Sequence, residues 1–340
     1  MLPKETDNDL YGRFDEVVKA SVTSPHLPKN AVRFVDMFCG IGGFHRAAVN
    51  LGMKCVFACD IDEDARASYK ANFGIEPFGD ICRLNPSDVP DHDVLFAGFP
   101  CQPFSIIGKR EGFADARGTL FFELAKIIDA KKPQRFVLEN VKQLVGHNHG
   151  ETLKRIEEIL RGMGYSVEHR VFNAINFGLP QKRERVLIMG VLGEVESFPW
   201  PEDKIPMRPL SEILEKKPDP KHFVSDRIRK ARKADHKAEV SPSIWHENKS
   251  GHISSYPYSC ALRAGASYNY LLVDGIRRLT SREMYRLQGF PDHHKIVSGD
   301  GQARKQAGNA VPVPMVQAVI KGVMSARQRA TEVKRKRTAA

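Results

Sequence analysis

The residue pattern of this chain points to an α/β fold, a parallel sheet covered by helices on both faces, with a second and smaller domain beside it. Three observations carry that expectation. Between residue 31 and about 191, short β-type runs (FVDMF, CVFACD, DVLFA, RFVLEN, RVLIMGV) alternate with helical patterns such as GGFHRAAVNLG and LFFELAKIIDAKK. That alternation is the signature of a parallel sheet. From about 200 to 280 the sequence turns polar, Lys-rich and punctuated by proline, with little periodicity. Helical pattern then returns at TSREMYRLQGF and, after the bend QAGNAVPVP, at MVQAVIKGVMSARQRA. This last helix is expected to pack back on the first domain, which makes the small domain an insertion.

The chain thus divides into an N-terminal extension (1–30, partly helical around LYGRFDEVVKASV), a large domain (31–199), a small domain (200–280), a hinge (281–306), the returning C-terminal helix (307–328) and a basic tail (329–340). With 340 residues, 41% of them hydrophobic, it can bury a sizeable core. No apolar run approaches the ~18 residues of a membrane helix, and MLPKETDNDLYG lacks a signal pattern. A cytoplasmic protein with no membrane partner is expected. Six cysteines (Cys39, Cys55, Cys59, Cys82, Cys101, Cys260) are too sparse for a disulfide scaffold and read as thiols. The C-x3-C spacing of Cys55 and Cys59 lacks a second ligand pair, so no metal site is expected.

Fifty-two Lys and Arg against 41 Asp and Glu give a net charge of +11. Basic chains favour polyanions, but net charge alone is weak evidence. Its distribution says more. KHFVSDRIRKARKADHK, residues 221–237, holds seven Lys or Arg against two Asp, and reads as a phosphate-facing surface in preference to a merely solvated helix face.

Ligands of an open parallel sheet sit outside the carboxyl ends of its strands. CGIGG follows FVDMF, CDID follows CVFA, GFPCQP follows DVLFA, and ENV follows RFVL. A glycine turn, acids, a thiol and a carboxylate therefore converge on one crevice. Gly40, Gly42 and Gly43 let backbone approach a ligand, yet they do not form G-x-G-x-x-G, since His45 and Arg46 stand where the third glycine belongs. That disfavours a pyrophosphate-bearing cofactor. Asp60, 20 residues after Gly40, can accept hydrogen bonds from two ribose hydroxyls. An adenosyl compound without phosphates fits both facts. Cys101 lies between Pro100 and Pro103, which stiffen the loop and hold a nucleophile at little entropic cost. Glu139 alone reads as a helix cap, but beside a thiol and an adenosyl site it is a candidate general acid. Arg183 and Arg185, in QKRER, otherwise read as members of a surface salt bridge.

Taken together these motifs resemble the cytosine-C5 DNA methyltransferases, over about residues 31–325 and in family order: FVDMFCGIGGF, Asp60, GDI, GFPCQPFS, GTLFFE, LENV, QKRERV, RRLTSREMYRLQGFP and QAGNAVPVPM. The resemblance implies a Rossmann-like class I methyltransferase fold with a mostly parallel sheet, and a target-recognition domain at 200–280. It implies S-adenosyl-L-methionine as methyl donor, no metal, and double-stranded DNA as substrate, in a bacterial type II restriction-modification setting. Cys101 would add to C6 of a flipped-out cytosine, Glu139 would serve N3 and the exocyclic amine, Arg183 would hold O2, and Arg185 would support the site electrostatically.

For the cofactor, the resemblance implies that Phe38 stacks on adenine, Gly40, Ile41 and Gly43 supply backbone, and Asp60 binds ribose. Ile61, Asp80 and Ile81 would line the adenine, with Pro100, Leu120, Asn309 and Val311 completing the pocket. Ile61 departs from the tryptophan of some relatives, which weakens stacking, and Ile107 from a serine. SIIGKREGFADARG is expected to close over DNA. A monomer is expected, with a cognate restriction endonuclease as functional partner but no stable complex. Two other readings compete. A tRNA cytosine-C5 methyltransferase of the same fold is disfavoured by GFPCQPFS in place of a PPCQPF-type motif. A catalytically silent DNA-binding protein is disfavoured by the intact Cys101, Glu139 and Arg183.

Overall fold

The computed structural model describes residues 31–100, 120–202 and 204–329. The 1–30 extension, Cys101, SIIGKREGFADARG and the tail from residue 330 lie outside the described residues. Strands β1 (Arg33–Met37), β2 (Lys54–Cys59), β3 (Val94–Gly98) and β4 (Arg135–Val141) are parallel, in the spatial order β2-β1-β3-β4. β5 (Tyr165–Asn173), the two-residue β6 (Gln181–Lys182) and β7 (Glu184–Leu192) follow. The run RVLIMGV, expected to be one more parallel strand, enters antiparallel between β4 and β5 as β7. Its reversal has a simple cause. Residues 174–183 alone separate β5 from β7, fewer than the dozen or more that a parallel crossover needs. β5 itself has no apolar run to announce it, because it is the sheet edge, where only Tyr165 and Val167 are buried and Arg170 and Val171 are exposed.

Both faces of the sheet are covered, so its central strands read as continuous apolar runs. Phe34, Phe96, Val137 and Leu187 point to one face, while Val35, Leu95, Phe136 and Val186 point to the other. The first face packs against α1 (Gly43–Val49) and Tyr69 of α2 (Glu63–Phe73). The second packs against α3 (Leu120–Lys131) and α4 (Glu151–Gly162), whose Leu124, Ile128, Ile156 and Leu160 are fully buried.

The region after residue 200 contains α5 (Asp226–Asp235), β8 (Ile244–Glu247), β9 (Ile253–Tyr256), β10 (Ser259–Cys260), β11 (Leu271–Val273) and β12 (Arg277–Arg278). Four of these short strands form an antiparallel sheet, β12-β11-β8-β9, while β10 pairs with β6 and ties the region to the large domain. On α5, Arg227, Arg229, Lys230 and Lys233 are exposed. Arg232 is not: it turns inward to pair with Glu247 and donates to the Asn269 carbonyl. One cation of the basic run therefore holds the small sheet rather than facing outward.

α6 (Ser281–Leu287) opens on a capping box between Thr280 and Glu283. α7 (Asp300–Asn309) then corrects the expected bend, since QAGN forms its last turn. Gly308 is there for another reason than turning: a Cβ at that position would run into the Ala264 backbone. α8 (Val313–Ser325) returns to the first sheet face, packing on α1, β4 and β7 through Val316, Val319, Ile320 and Val323. Among the described residues no helix is long and apolar enough to cross a membrane.

Candidate active site

The segments leaving β1, β2, β3 and β4 at their carboxyl ends line a cavity of about 570 Å³. β1 gives way to Phe38, whose φ of 56° is left-handed, and then to Gly40 and Gly42 at 53° and 83°. Gly42 caps α1, and a side chain is excluded there twice over, by the backbone angle and by the Phe73 ring. Asp60 closes this turn. Its Oδ2 accepts the Gly40 N–H at 2.7 Å and its Oδ1 the Asp62 N–H at 2.9 Å. From α2, Arg66 Nη1 donates to the carbonyls of Asp60 and Ile61 at 3.0 and 2.9 Å. Each Asp60 oxygen keeps lone-pair capacity for a further donor. Burial raises the Asp60 pKa, and the two backbone N–H groups oppose that rise.

Asp36, on β1, is fully buried, and the only group close to its carboxyl as a donor among the described residues is the His45 backbone N–H. Burial first, and then the Asp60 charge, hold its carboxyl well above the ordinary range. The His45 backbone N–H opposes that rise. Two acids thus stand near each other, and burial raises the pKa of both.

At the other end of the cavity, Glu139 lies inside β4 rather than beyond it. Antiparallel pairing sets Glu139 opposite Leu187 and Val141 opposite Arg185. The diagonal of that ladder brings Arg185 Nε to 2.7 Å from Glu139 Oε1, and both side chains are largely buried. Neither a helix cap nor a surface salt bridge describes this pair. Asn140, also fully buried, donates Nδ2 to the Phe99 carbonyl at 2.9 Å and fixes the backbone just before Pro100.

Arg183 is 1% exposed. Its Nη1 donates to the Leu262 carbonyl, and its Nη2 to those of Gly308 and Ala310, all at 2.9 Å. Nε has no acceptor among the described residues. Burial, helped by the Arg185 charge, lowers its pKa, but a guanidinium remains charged at neutral pH. One side chain therefore ties three backbone segments together and keeps a donor spare.

The cavity wall includes Phe38, Gly40, Ile41, Asp60 and Ile61 at the turn end, Asp80, Ile81 and Leu120 beside them, and Pro100, Glu139, Arg183, Arg185 and Asn309 at the other end. Gly43 and Val311 are not on that wall. They pack on each other, a Gly43 Cβ falling 2.6 Å from the Val311 side chain, which seats α1 against the segment before α8. Cys101 lies outside the described residues, and its chain neighbour Pro100 is on the wall. Sequence reasoning missed Asp36, Arg66 and Asn140, and also the rim pair Lys305 and Asp62, 2.7 Å apart. DIDEDAR does carry a signal for Asp62, the N-cap of α2. Nothing local marks Lys305, whose partner is 243 residues away.

An aromatic ring, two isoleucines and a carboxylate on one wall suit an adenosine without phosphates. The comparisons agree with that chemistry. The family model for C-5 cytosine-specific DNA methylase matches residues 32–325. The chain is 52% identical over 290 residues to the type II methyltransferase M.NgoBI of Neisseria gonorrhoeae, covering 84% of this chain and 91% of that one. It is 50% identical over 302 residues to the type II methyltransferase M.HaeII of Haemophilus aegyptius, covering 87% and 94%. The crystal structure of a Dnmt2 methyltransferase from S. pombe superposes with a TM-score of 0.67 at 21% identity, covering 86% of this chain and 98% of that one. At that identity the likeness speaks for the fold. The match along nearly the whole described chain, together with relatives at half identity, means that this protein belongs to the C-5 cytosine-specific DNA methylase family.

Proposed function

We propose that this enzyme methylates C5 of a cytosine flipped out of duplex DNA, with S-adenosylmethionine as donor and Cys101 as covalent nucleophile. One observation carries the proposal: a single cavity holds the Asp60 turn at one end and the buried Glu139–Arg185 pair at the other, with Pro100 on its wall. S-adenosylmethionine, when bound, supplies an electrophilic sulfonium methyl. Asp60 takes the ribose hydroxyls, while Phe38, Ile61 and Ile81 enclose the adenine.

C5 of cytosine is a poor nucleophile, and the chain's residues answer that. The Cys101 thiolate bonds to C6, the displaced electron pair makes C5 enamine-like, and the methyl group is accepted there. Glu139 hydrogen-bonds N3 and the exocyclic amine, which lowers the energy of the addition. Arg185 fixes Oε1 of that carboxyl. The spare Nε of Arg183 donates to O2. Loss of the C5 proton to a base then breaks the S–C6 bond and frees the thiol. A thiol cannot reach C6 within a stacked duplex, so the base is extruded at a cost of a few kcal/mol.

Because M.NgoBI and M.HaeII are named type II methyltransferases, we assign this chain to the modification role of a restriction-modification system, with residues 200–280 as the target-recognition region. Methyl transfer from labelled donor to duplex DNA and to tRNA, with bisulfite sequencing of DNA from expressing cells, tests the proposal. Methylated cytosines in one sequence context support it. Transfer to tRNA alone, or to neither, overturns it.

A further inference from the structure

A second cavity, of about 170 Å³, opens beside the first, and Leu262 belongs to the walls of both. Separate segments meet there: Tyr268 ahead of β11, Arg278 on β12, Arg304 and Asp300 on α7, and Lys221 ahead of α5. The Tyr268 ring, half exposed, lies 4.1 Å from the Arg304 guanidinium and 5.6 Å from that of Arg278. Two like charges are thus gathered around one ring; Arg278 Nη2 donates to the Lys221 carbonyl at 3.2 Å, but three of their other N–H groups stay free among the described residues. Nε and Nη1 of Arg304 and Nε of Arg278 are buried with no acceptor among the described residues. The acid of this cavity, Asp300, is already engaged, by Lys221 Nζ and by the Ser281 hydroxyl, each at 2.8 Å. Buried guanidinium N–H groups without acceptors are costly.

We propose that this cavity takes a backbone phosphate of the DNA substrate, close to the flipped cytosine. The proposal rests on the DNA-methyltransferase reading above and adds residues by which the duplex is held. Guanidinium forks match the oxygens of a phosphodiester. The cavity is also smaller than the roughly 300 Å³ at which pockets for nucleotide-sized ligands begin. Its position decides the source of the phosphate. The Leu262 side chain walls this cavity, and the Leu262 carbonyl holds Arg183 in the other. A phosphate between Arg278 and Arg304 is therefore one residue's thickness away from the candidate cytosine site. None of the exposed cations of α5, singled out by charge density, lines this cavity.

Duplex affinity measured against NaCl concentration tests the assignment, using the methylated sequence and a scrambled one. Arg304→Gln and Arg278→Gln should each weaken both duplexes by the same factor and reduce the slope of log affinity against log salt by about one. Arg304→Lys, which keeps a point charge for phosphate, should retain the slope. Cofactor affinity by calorimetry should stay within about twofold of wild type. Unchanged slopes in both Gln variants would overturn the proposal. So would a changed sequence preference, which would make this a base-reading pocket, or loss of cofactor binding in both variants, which would make the pair structural. Inorganic phosphate at matched ionic strength that stabilises wild type but not Arg304→Gln, with unaltered DNA slopes, would give the cavity to a free anion instead. Wild-type methylation of duplex DNA, followed in parallel, tests the underlying reading separately.

Discussion

Arg185 reaches Glu139 across the antiparallel β4–β7 junction, its Nε 2.7 Å from Oε1, inside the cavity that the parallel strands open. The reversal of β7 is what makes this contact possible. A carboxyl from one strand and a guanidinium from the next then share one face, two residues apart in register.

If Glu139 acts on cytosine N3, Glu139→Gln should lower the single-turnover rate by about two to four orders of magnitude, the usual weight of a positioned proton donor. Cofactor affinity should be unaffected. A variant within threefold of the wild-type rate would remove Glu139 from the chemistry.

Asp60→Ala should weaken cofactor binding by about 1.5 to 3 kcal/mol, as expected for lost hydrogen bonds to a charged group. Since Asp60 also closes the turn on Gly40, the melting temperature should fall without cofactor as well. Calorimetry showing unchanged affinity would move the ribose site elsewhere.

Gly308→Ala places a Cβ against the Ala264 backbone, where α7 meets the segment leading to β11. The Gly308 carbonyl also receives Arg183 Nη2. Overpacking of this kind costs about 1 to 3 kcal/mol, to be read from urea denaturation. A fully stable variant would show that this approach is slack.

Much of the site was legible because it sits where chain pattern and chemistry coincide. Asp60, Pro100 and Glu139 each fall at the carboxyl end of an apolar run, and parallel strands deliver such positions to one rim. What escaped depends on distant pairing. β5 is an edge strand with one wet face, and α7 carries the glycine that suggested a bend. Gly43 looked like ligand-approaching backbone, yet its lack of a side chain serves Val311. Arg232 counted as one more surface cation until Glu247 received it.

The buried histidines bear on acid stability. His294 is fully buried among Phe73, Tyr285 and Phe290, with neither ring nitrogen hydrogen-bonded among the described residues. Burial first, and nearby arginines next, depress it from 6.5 to about 3. His45 is lowered to about 3, again chiefly by burial. The unfolded chain takes up these protons below pH 6.5 and the folded one does not. Their contribution is therefore present above that pH and is lost as pH falls toward about 3. His294→Leu should flatten the dependence of unfolding free energy on pH within that window by up to about 1.4 kcal/mol per pH unit. An unchanged slope would mean that His294 protonates without unfolding.

Whether the chemistry runs through Cys101 is decided by trapping. A duplex carrying 5-fluorocytosine at the target position is incubated with the enzyme and S-adenosylmethionine, since fluorine cannot leave C5 as a cation and elimination must stall. The expected result is a denaturant-stable protein–DNA complex whose cross-linked peptide contains Cys101, and which Cys101→Ser fails to form while still binding cofactor. No adduct, on a duplex whose unfluorinated form is methylated, would contradict covalent catalysis by this thiol.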